Sequence, residues 1–575
     1  MDYADLVAVY RDIEATASNN EKTEIVAGAI ASADDEHLPR LLTLLRGSPF
    51  PAWDARELGV SSSLTRTAIS KATGLPEDTI EGWWRDTGDL GSAAGRAVEA
   101  ERQQTLFSES LTVERVQDTL EELAEYEGEG SQGRKIDAIA GLLADAGPDE
   151  ATYVVRTVLG HLRIGIGDGT IRDAIAQAFL DEGAGDSGGT EVDDENDVEA
   201  VEAVERAYQV TNDYRLVAER ARDRGIDGLA DLDVELFRPI RVMLAEKADS
   251  IEAGVADVAD DPADVLAEYK YDGIRAQIHL EGDEISVFTR RLENVTTQFP
   301  DVVTAVEKGV DAESAILEGE IVGYHPESTE MVPFQTLSRR VKRKYDIEAT
   351  IEEIPVVLYL FDAMYLDGDS LLDRPLAERI DCLESTLEES PWEIERAAHR
   401  WTGDPEAIRT FYEAALADGQ EGVMVKNGEA TYQPGRRVGY MMKLKPTLET
   451  LDLVVVRAKY SEGRRRNKLG RLYLACRDGE SGDLLEVGRL STGFTDEELD
   501  EVTNRLEPLI QEQDGRAVTF TPDVILEVEF EEVQGSPEYG SGYALRFPRF
   551  KDFRDDLALA DIDTLSRVAD LYESQ

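Results

Sequence analysis

Cysteine and histidine are scarce in this chain, which has two cysteines, Cys382 and Cys476, and five histidines in 575 residues. The two thiols lie far apart, so neither a structural zinc spacing nor a disulfide framework can be assembled. Long hydrophobic runs are missing too. No stretch approaches the roughly 20 apolar residues that cross a bilayer, and the opening MDYADLVAVYRDIEATAS has neither the charged nor the apolar region of a signal peptide. A soluble cytoplasmic protein is expected. Basic residues are few: 60 lysines and arginines stand against 120 acids, a formal net charge of -60. Such a balance ordinarily argues against a nucleic-acid partner, because phosphate binding draws on lysine and arginine.

Two features weaken that objection. The acid is spread along the whole chain and arginine outnumbers lysine, a composition that resembles proteins of salt-accumulating archaea. In molar salt the Debye length falls to roughly 3 Å, which screens self-repulsion and long-range repulsion from a polyanion. Against the acidic background two basic runs stand out: SRRVKRKYD, with Arg339, Arg340, Lys342, Arg343 and Lys344, and EGRRRNKLG, with Arg464, Arg465, Arg466 and Lys468. They read either as solvated charged faces or as phosphate contacts.

What is present is enough sequence for two to four domains. To about Phe179 apolar residues recur three and four apart, as in Val113, Val116, Leu120 and Leu123, which predicts an all-α region. The acidic, glycine-rich segment at about 181–197 is expected to be an inserted surface loop, since helical periodicity returns from Val198 to about Arg224. Beyond Phe237 strand-like runs alternate with helical stretches, predicting an α+β domain of about 200 residues. In the last segment ILEVEFEEV alternates Leu526, Val528 and Phe530 with Glu527, Glu529 and Glu531, the period of a half-buried strand in a small β-barrel. The boundaries fall at 1–236, 237–446 and 447–575.

The chemistry centres on EYKYDGIRAQIH. Lys270 ends an apolar, strand-like approach and precedes Asp272, Gly273 and Arg275. A lysine held at a strand end can aim its amine at a ligand, and once neutral it is a nucleophile. Further on come FTRRLENVT with Arg290, AILEGEIVGY with Glu320, VVLYLFDAMYLDG with Phe361, EGVMVKN with Glu421, and RRVGYMMKLKP with Arg437, Lys443 and Lys445. A flat ring such as Phe361 suits a purine. Carboxylates such as Glu320 and Glu421 suit a hard divalent ion. Lys443 and Lys445 alternate with Leu444, so both ammonium groups face one side of a strand.

In this order the motifs resemble the ATP-dependent DNA ligases of the covalent nucleotidyltransferase superfamily, in particular the archaeal and eukaryotic replicative type, over nearly the whole chain. The resemblance implies an all-α DNA-binding domain, an α+β nucleotidyltransferase (adenylation) domain and a C-terminal β-barrel OB-fold. It implies nick sealing in double-stranded DNA, in replication, repair and recombination, through a lysyl-AMP on Lys270 and a DNA-adenylate, with ATP as AMP donor and magnesium on Glu320 and Glu421. It places Glu268 at the adenine, Arg275 at ribose or phosphate, Arg290 at the nucleotide and nick 5′-phosphate, and Phe361 under the base, with Arg437, Lys443 and Lys445 among the nucleotide contacts. Arg546, Arg549, Lys551 and Arg554 in ALRFPRFKDFRDDL resemble a basic motif that orients pyrophosphate; its final lysine is here Leu557, leaving Lys551 or Arg554 as substitute. In the helical region Gly130, Ser131, Gly133, Gly165 and Gly167, with Arg134, Lys135 and Arg163, read as backbone contacts to phosphate or as helix caps. QQTLFS, with Gln104, Leu106 and Phe107, resembles a sliding-clamp peptide or is a polar loop with one buried ring. A monomer is expected. The alternatives are an RNA ligase, a capping-type nucleotidyltransferase, or a non-catalytic nick-binding or clamp-associated scaffold; missing zinc cysteines disfavour an NAD-dependent ligase.

Overall fold

The computed structural model describes residues 1–101, 110–128, 130–180, 194–341, 343, 347–445, 450–461, 465, 467–479 and 481–573. Gln104, Leu106 and Phe107, residues 181–193 of the acidic loop, and Lys342, Lys344, Arg464 and Arg466 lie outside the described residues. The chain divides into two compact units, Met1–Leu75 with Ala94–Pro446, and Pro76–Ala93 with Thr447–Gln575. Among the described residues no helix is long and apolar enough to cross a membrane.

From Tyr3 to Ala230 the regular elements are helices. Val113–Glu125 shows why: Thr112 accepts the Arg115 N–H as N-cap, and Val113, Val116, Leu120 and Leu123 are buried along one stripe. After the acidic segment the helices Asp194–Thr211 and Tyr214–Ala230 follow, the first beginning at Asp194 and so taking in residues 194–197, expected to belong to the loop. Two basic residues expected to meet phosphate are instead structural. Lys135 is buried and donates to the Leu58 and Gly59 carbonyls. Arg340, 1% exposed, grips Asp301 with both terminal nitrogens, donates to the Gln298 and Ile354 carbonyls and lies over the Phe299 ring. With both terminal nitrogens paired inside the fold and the group buried, this guanidinium does not face DNA.

Past Phe237 the chain builds two sheets. The strands are β1 (Glu246–Lys247), β2 (Val265–Lys270), β3 (Ile274–Glu281), β4 (Glu284–Thr289), β5 (Ser314–Gly323), β6 (Val356–Leu366), β7 (Asp369–Ser370), β8 (Ile394–Arg396), β9 (His399–Trp401), β10 (Gly422–Asn427) and β11 (Met441–Leu444). One sheet runs β1-β11-β10-β2-β9; the other runs β4-β3-β5-β6-β7, with β8 on β6. In the first, Val265, Ala267, Val423, Val425, Met442 and Leu444 pack against Ile251, Val255, Ile408 and Ala415 of the helices Ile251–Val258 and Pro405–Ala417. In the second, Ile274, Ala276, Ile278 and Leu280 of β3 join Leu317 and Ile321 of β5 in the core. Burial is worth roughly 1.5–3 kcal/mol for each such large side chain, and a one-residue slip would turn it outward. The register is fixed accordingly, and with it the residues on the opposite faces.

The C-terminal region is also sheet. Leu484–Leu490, Leu469–Arg477, Thr450–Tyr460, Ala517–Phe520 and Ile510–Asp514 lie side by side, and Ile525–Glu529 joins Thr450–Tyr460 to Arg549–Phe553. Leu526, Val528 and Phe530 are buried while the intervening glutamates are not. Leu557 packs on Val454, Ala475, Ile525 and Ile562, so an apolar contact occupies the position where the motif expects a cation.

Candidate active site

Strand alternation supplies the first half of the site. On β2 the residues facing away from the helix-covered side are Glu268 and Lys270; Lys270 stands opposite Gly422 and Glu268 opposite Met424, which in turn faces Lys443. Lys426 shares the face of Met424 by the same period of two. The ends of β2 and β10 are tied together where the Glu421 N–H donates to the Lys270 carbonyl. Two ammonium groups then converge on one carboxylate oxygen: Lys270 Nζ lies 2.5 Å, and Lys445 Nζ 2.6 Å, from Glu421 Oε2. Burial works to raise the Glu421 carboxyl, but the two lysine charges prevail and hold it down at about 2.

The chain crosses to the second sheet through Tyr271, Asp272 and Gly273. A Cβ on Gly273 would lie 2.4 Å from the Ile321 carbonyl oxygen and 2.8 Å from Glu320 Cγ. Only glycine lets β3 start this close to Glu320. Gly273→Ala is expected to destabilise the fold by about 1–3 kcal/mol through overpacking and to slow adenylylation; urea unfolding and a timed labelling assay check this, and an alanine variant equal to the parent in both refutes it. Arg275 stands opposite Glu320 in the β3–β5 register. The Glu320 carboxyl is pushed up to about 8, by burial above all, against the opposing pull of Lys270 and Arg275.

Phe361 owes its position to a β-bulge. Glu318 pairs with Asp362 and Gly319 with Leu360, which leaves Phe361 as the extra residue of β6. Its ring has Lys426 Nζ 4.7 Å and Arg275 Cζ 5.4 Å from the centroid. Lys426 also reaches Glu268 Oε1 at 2.5 Å, both side chains being nearly fully buried. Burial raises the Glu268 carboxyl and Lys426 opposes that shift. Glu268, Lys426, Phe361, Arg275, Glu320, Lys270, Glu421 and Lys445 thus form a continuous run of neighbours.

Sequence reasoning placed most of these residues but missed three. Lys426 was legible in the alternation of VMVKN, and Glu318 in its spacing of two from Glu320. Tyr432, whose hydroxyl donates to Glu318 at 3.0 Å, carried no signal. Arg275 is more engaged than a free ligand contact would be: it forks onto Glu318 at 3.0 and 2.9 Å and donates to the Met243 carbonyl at 2.8 Å. Arg290 is exposed at the end of β4, its N–H donating to the Arg275 carbonyl. Arg437 is exposed between β10 and β11, and among the described residues its side chain makes no contact with the cluster. In the C-terminal unit Arg554 is committed to Asp452 and Asp556, whereas Lys551 is half exposed and 3.4 Å from Glu527.

Both acids offer oxygen ligands of the kind magnesium takes. Among the described residues no group of three His, Cys, Asp or Glu forms a ready metal cage. Magnesium characteristically leaves several positions to water and substrate phosphates, so two carboxyl groups flanked by Lys270 and Lys445 fit that ion.

Comparison with known proteins assigns each part of the chain. The family model "ATP dependent DNA ligase domain" matches residues 242–445, "DNA ligase N terminus" matches 2–176, and "ATP dependent DNA ligase C terminal region" matches 465–557. A DNA ligase of Thermococcus fumicolans is 42% identical over 575 residues, covering 100% of this chain and 99% of the relative. One of Methanopyrus kandleri is 42% identical over 574 residues, covering 100% and 99%. A solved structure named Pmar-Lig_PreS3, 15% identical, covers 96% of this chain and 99% of its own with a TM-score of 0.57, a likeness of fold.

Proposed function

Because this chain belongs to the ATP-dependent DNA ligase family and seals nicks in DNA, we propose that Lys270 is the residue that carries its AMP. The observation behind this reading is the convergence of Lys270 and Lys445 on Glu421, beside Glu320 and within the same run of residues as Phe361. Lys270, once its ammonium has given up a proton, attacks the α-phosphorus of ATP as the bond to the β-phosphate oxygen breaks and pyrophosphate leaves. AMP then passes to the 5′-phosphate of the nick as its P–N bond to Lys270 breaks, and the 3′-hydroxyl, losing its proton, displaces AMP. Each step is in-line phosphoryl transfer, so placement and electrostatics supply most of the rate.

Phe361 stacks on the adenine and Glu268, held by Lys426, meets its edge. Lys443 and Lys445 offset phosphate charge; Arg290 and Arg437 are the exposed arms that reach nucleotide or DNA. Glu320 and Glu421 would hold magnesium, which would supply charge neutralisation at the phosphates. Lys551 is the better candidate for the cation that orients the leaving pyrophosphate, because it is half exposed with one acidic neighbour, whereas Arg554 is already paired twice and Leu557 packs on apolar side chains. Lys551→Ala is expected to slow self-adenylylation by about tenfold while leaving the sealing of pre-adenylylated nicks near the parent rate, and an unchanged adenylylation rate disproves the role.

The domains are read as a helical DNA-binding domain over 1–236, the nucleotidyltransferase core over 237–446 and an OB-fold over 447–575. The acidic, arginine-rich composition supports action in a salt-rich cytoplasm; replication, repair and recombination are the settings that the family resemblance implies. The hexamer of Gln104, Leu106 and Phe107 is read as a sliding-clamp ligand, and the enzyme as a monomer. The test of the central reading is peptide mapping after incubation with labelled ATP and magnesium: the label belongs on Lys270, and a label elsewhere overturns it.

A further inference from the structure

The segment Phe237–Leu244, which leaves the helical region, does not cross to the sheets as a loose linker. Its backbone is held by alternate side chains on one face of β3. The Phe237 N–H donates to His279 Nδ1 at 2.9 Å, Ile240 exchanges hydrogen bonds with Gln277, and the Met243 carbonyl accepts from Arg275. Farther along, Leu244 N–H donates to the Arg436 carbonyl and Gly435 N–H to that of Arg241. His279 and Gln277 are buried, and buried polar groups of this kind define a single position for what they bind.

This strap has a contact at each end. Toward the helical region, Arg241 lies 3.2 Å from Asp168 Oδ2 and 3.1 Å from the Tyr208 hydroxyl; Arg46 holds the other Asp168 oxygen, and Tyr208 stacks on Tyr214. Toward the nucleotide site, the Met243 N–H donates to the Tyr432 hydroxyl, which donates to Glu318, which orients Arg275 beside Phe361. The two contacts, at Arg241 and Met243, are two residues apart on one backbone.

We propose that the strap Ile240–Leu244 couples the helical region to the nucleotide pocket, with Arg241 and Tyr432 as positioning residues: Arg241 closed on Asp168 sets the strap, and the strap sets Arg275 through Met243, Tyr432 and Glu318. The inference rests on the assignment of Arg275 and Phe361 to the nucleotide pocket. When Arg241 lets go of Asp168, the Met243 carbonyl and N–H shift together, and Arg275 loses one of its three anchors. Binding of ATP weakens because the pocket is less often in its competent arrangement.

The experiment measures self-adenylylation of the full chain, without DNA, over a range of ATP concentrations in Arg241→Ala, Tyr432→Phe and the double variant. Each single change is expected to raise the KM for ATP by about fivefold or more with the rate at saturating ATP little altered, and the double variant to rise by clearly less than the product of the singles. Arg241→Lys, which keeps the charge, should recover part of the loss. If Tyr432→Phe raises KM while Arg241→Ala does not, or if the two effects multiply, the strap is refuted and the pocket assignment stands. If Tyr432→Phe leaves KM untouched, the strap is likewise refuted; if Arg275→Ala and Phe361→Ala leave KM untouched, those residues do not hold the nucleotide and the underlying assignment fails first.

Discussion

Replacement of Lys270 by alanine is expected to abolish covalent labelling of the protein by ATP, a loss of several orders of magnitude in the first step. No other side chain in the cluster is placed to substitute: Lys445 shares Glu421 with Lys270 but lies past the end of β11, on the far side of Gly422 from β2. The fold should tolerate the change, because Lys445 still neutralises Glu421 once Lys270 is gone. The same variant should still seal a nick whose 5′-phosphate has been adenylylated beforehand, since that step needs no nucleophile from the protein. Gel labelling and a ligation assay on pre-adenylylated DNA separate the two outcomes. Persistent label in the alanine variant would remove Lys270 from the mechanism.

The second large effect is expected at the buried pair Glu268–Lys426. With exposures of 3% and 6%, neither charge can recover water if its partner is deleted. Lys426→Met should therefore cost about 3–5 kcal/mol, the usual penalty for stranding one member of a buried pair. The double variant Glu268→Gln with Lys426→Met should recover much of that stability, because it leaves no uncompensated charge. It should not recover nucleotide binding, since the ammonium beside the Phe361 ring and the carboxylate proposed to meet the base are both lost. Urea unfolding combined with the KM for ATP tests both halves. Equal stability of Lys426→Met and parent would show that the pair is solvated and the pocket less enclosed than the structure has it.

Much of the fold was written in local pattern. The spacing of Val113, Val116, Leu120 and Leu123 forces a helix to bury that stripe, and the alternation of Leu526, Val528 and Phe530 forces a strand, because each periodicity has one geometry that hides its apolar side. The residues that cluster were equally legible: Lys270, Glu320, Phe361 and Glu421 sit in short motifs whose order along the chain is itself informative. Basic composition was a poorer guide. Arg340 and Lys135 look like phosphate ligands in a one-dimensional reading, and both turn out to satisfy carbonyls inside the fold. A charge run records where guanidinium and ammonium groups are, not which way they point.

By itself, then, the chain determined its elements, the residues that gather around Lys270 and the family to which its motifs belong, because periodicity and motif chemistry act over a few residues. The partnerships were decided elsewhere. That Glu421 serves two lysines, that a bulge turns Phe361 toward Lys426, and that Tyr432 joins Met243 to Glu318 all depend on residues up to 189 positions apart along the chain being brought within hydrogen-bond distance. Such contacts follow from sheet register and from how closely Gly273 lets β3 approach Glu320, which are properties of packing that only the assembled fold possesses.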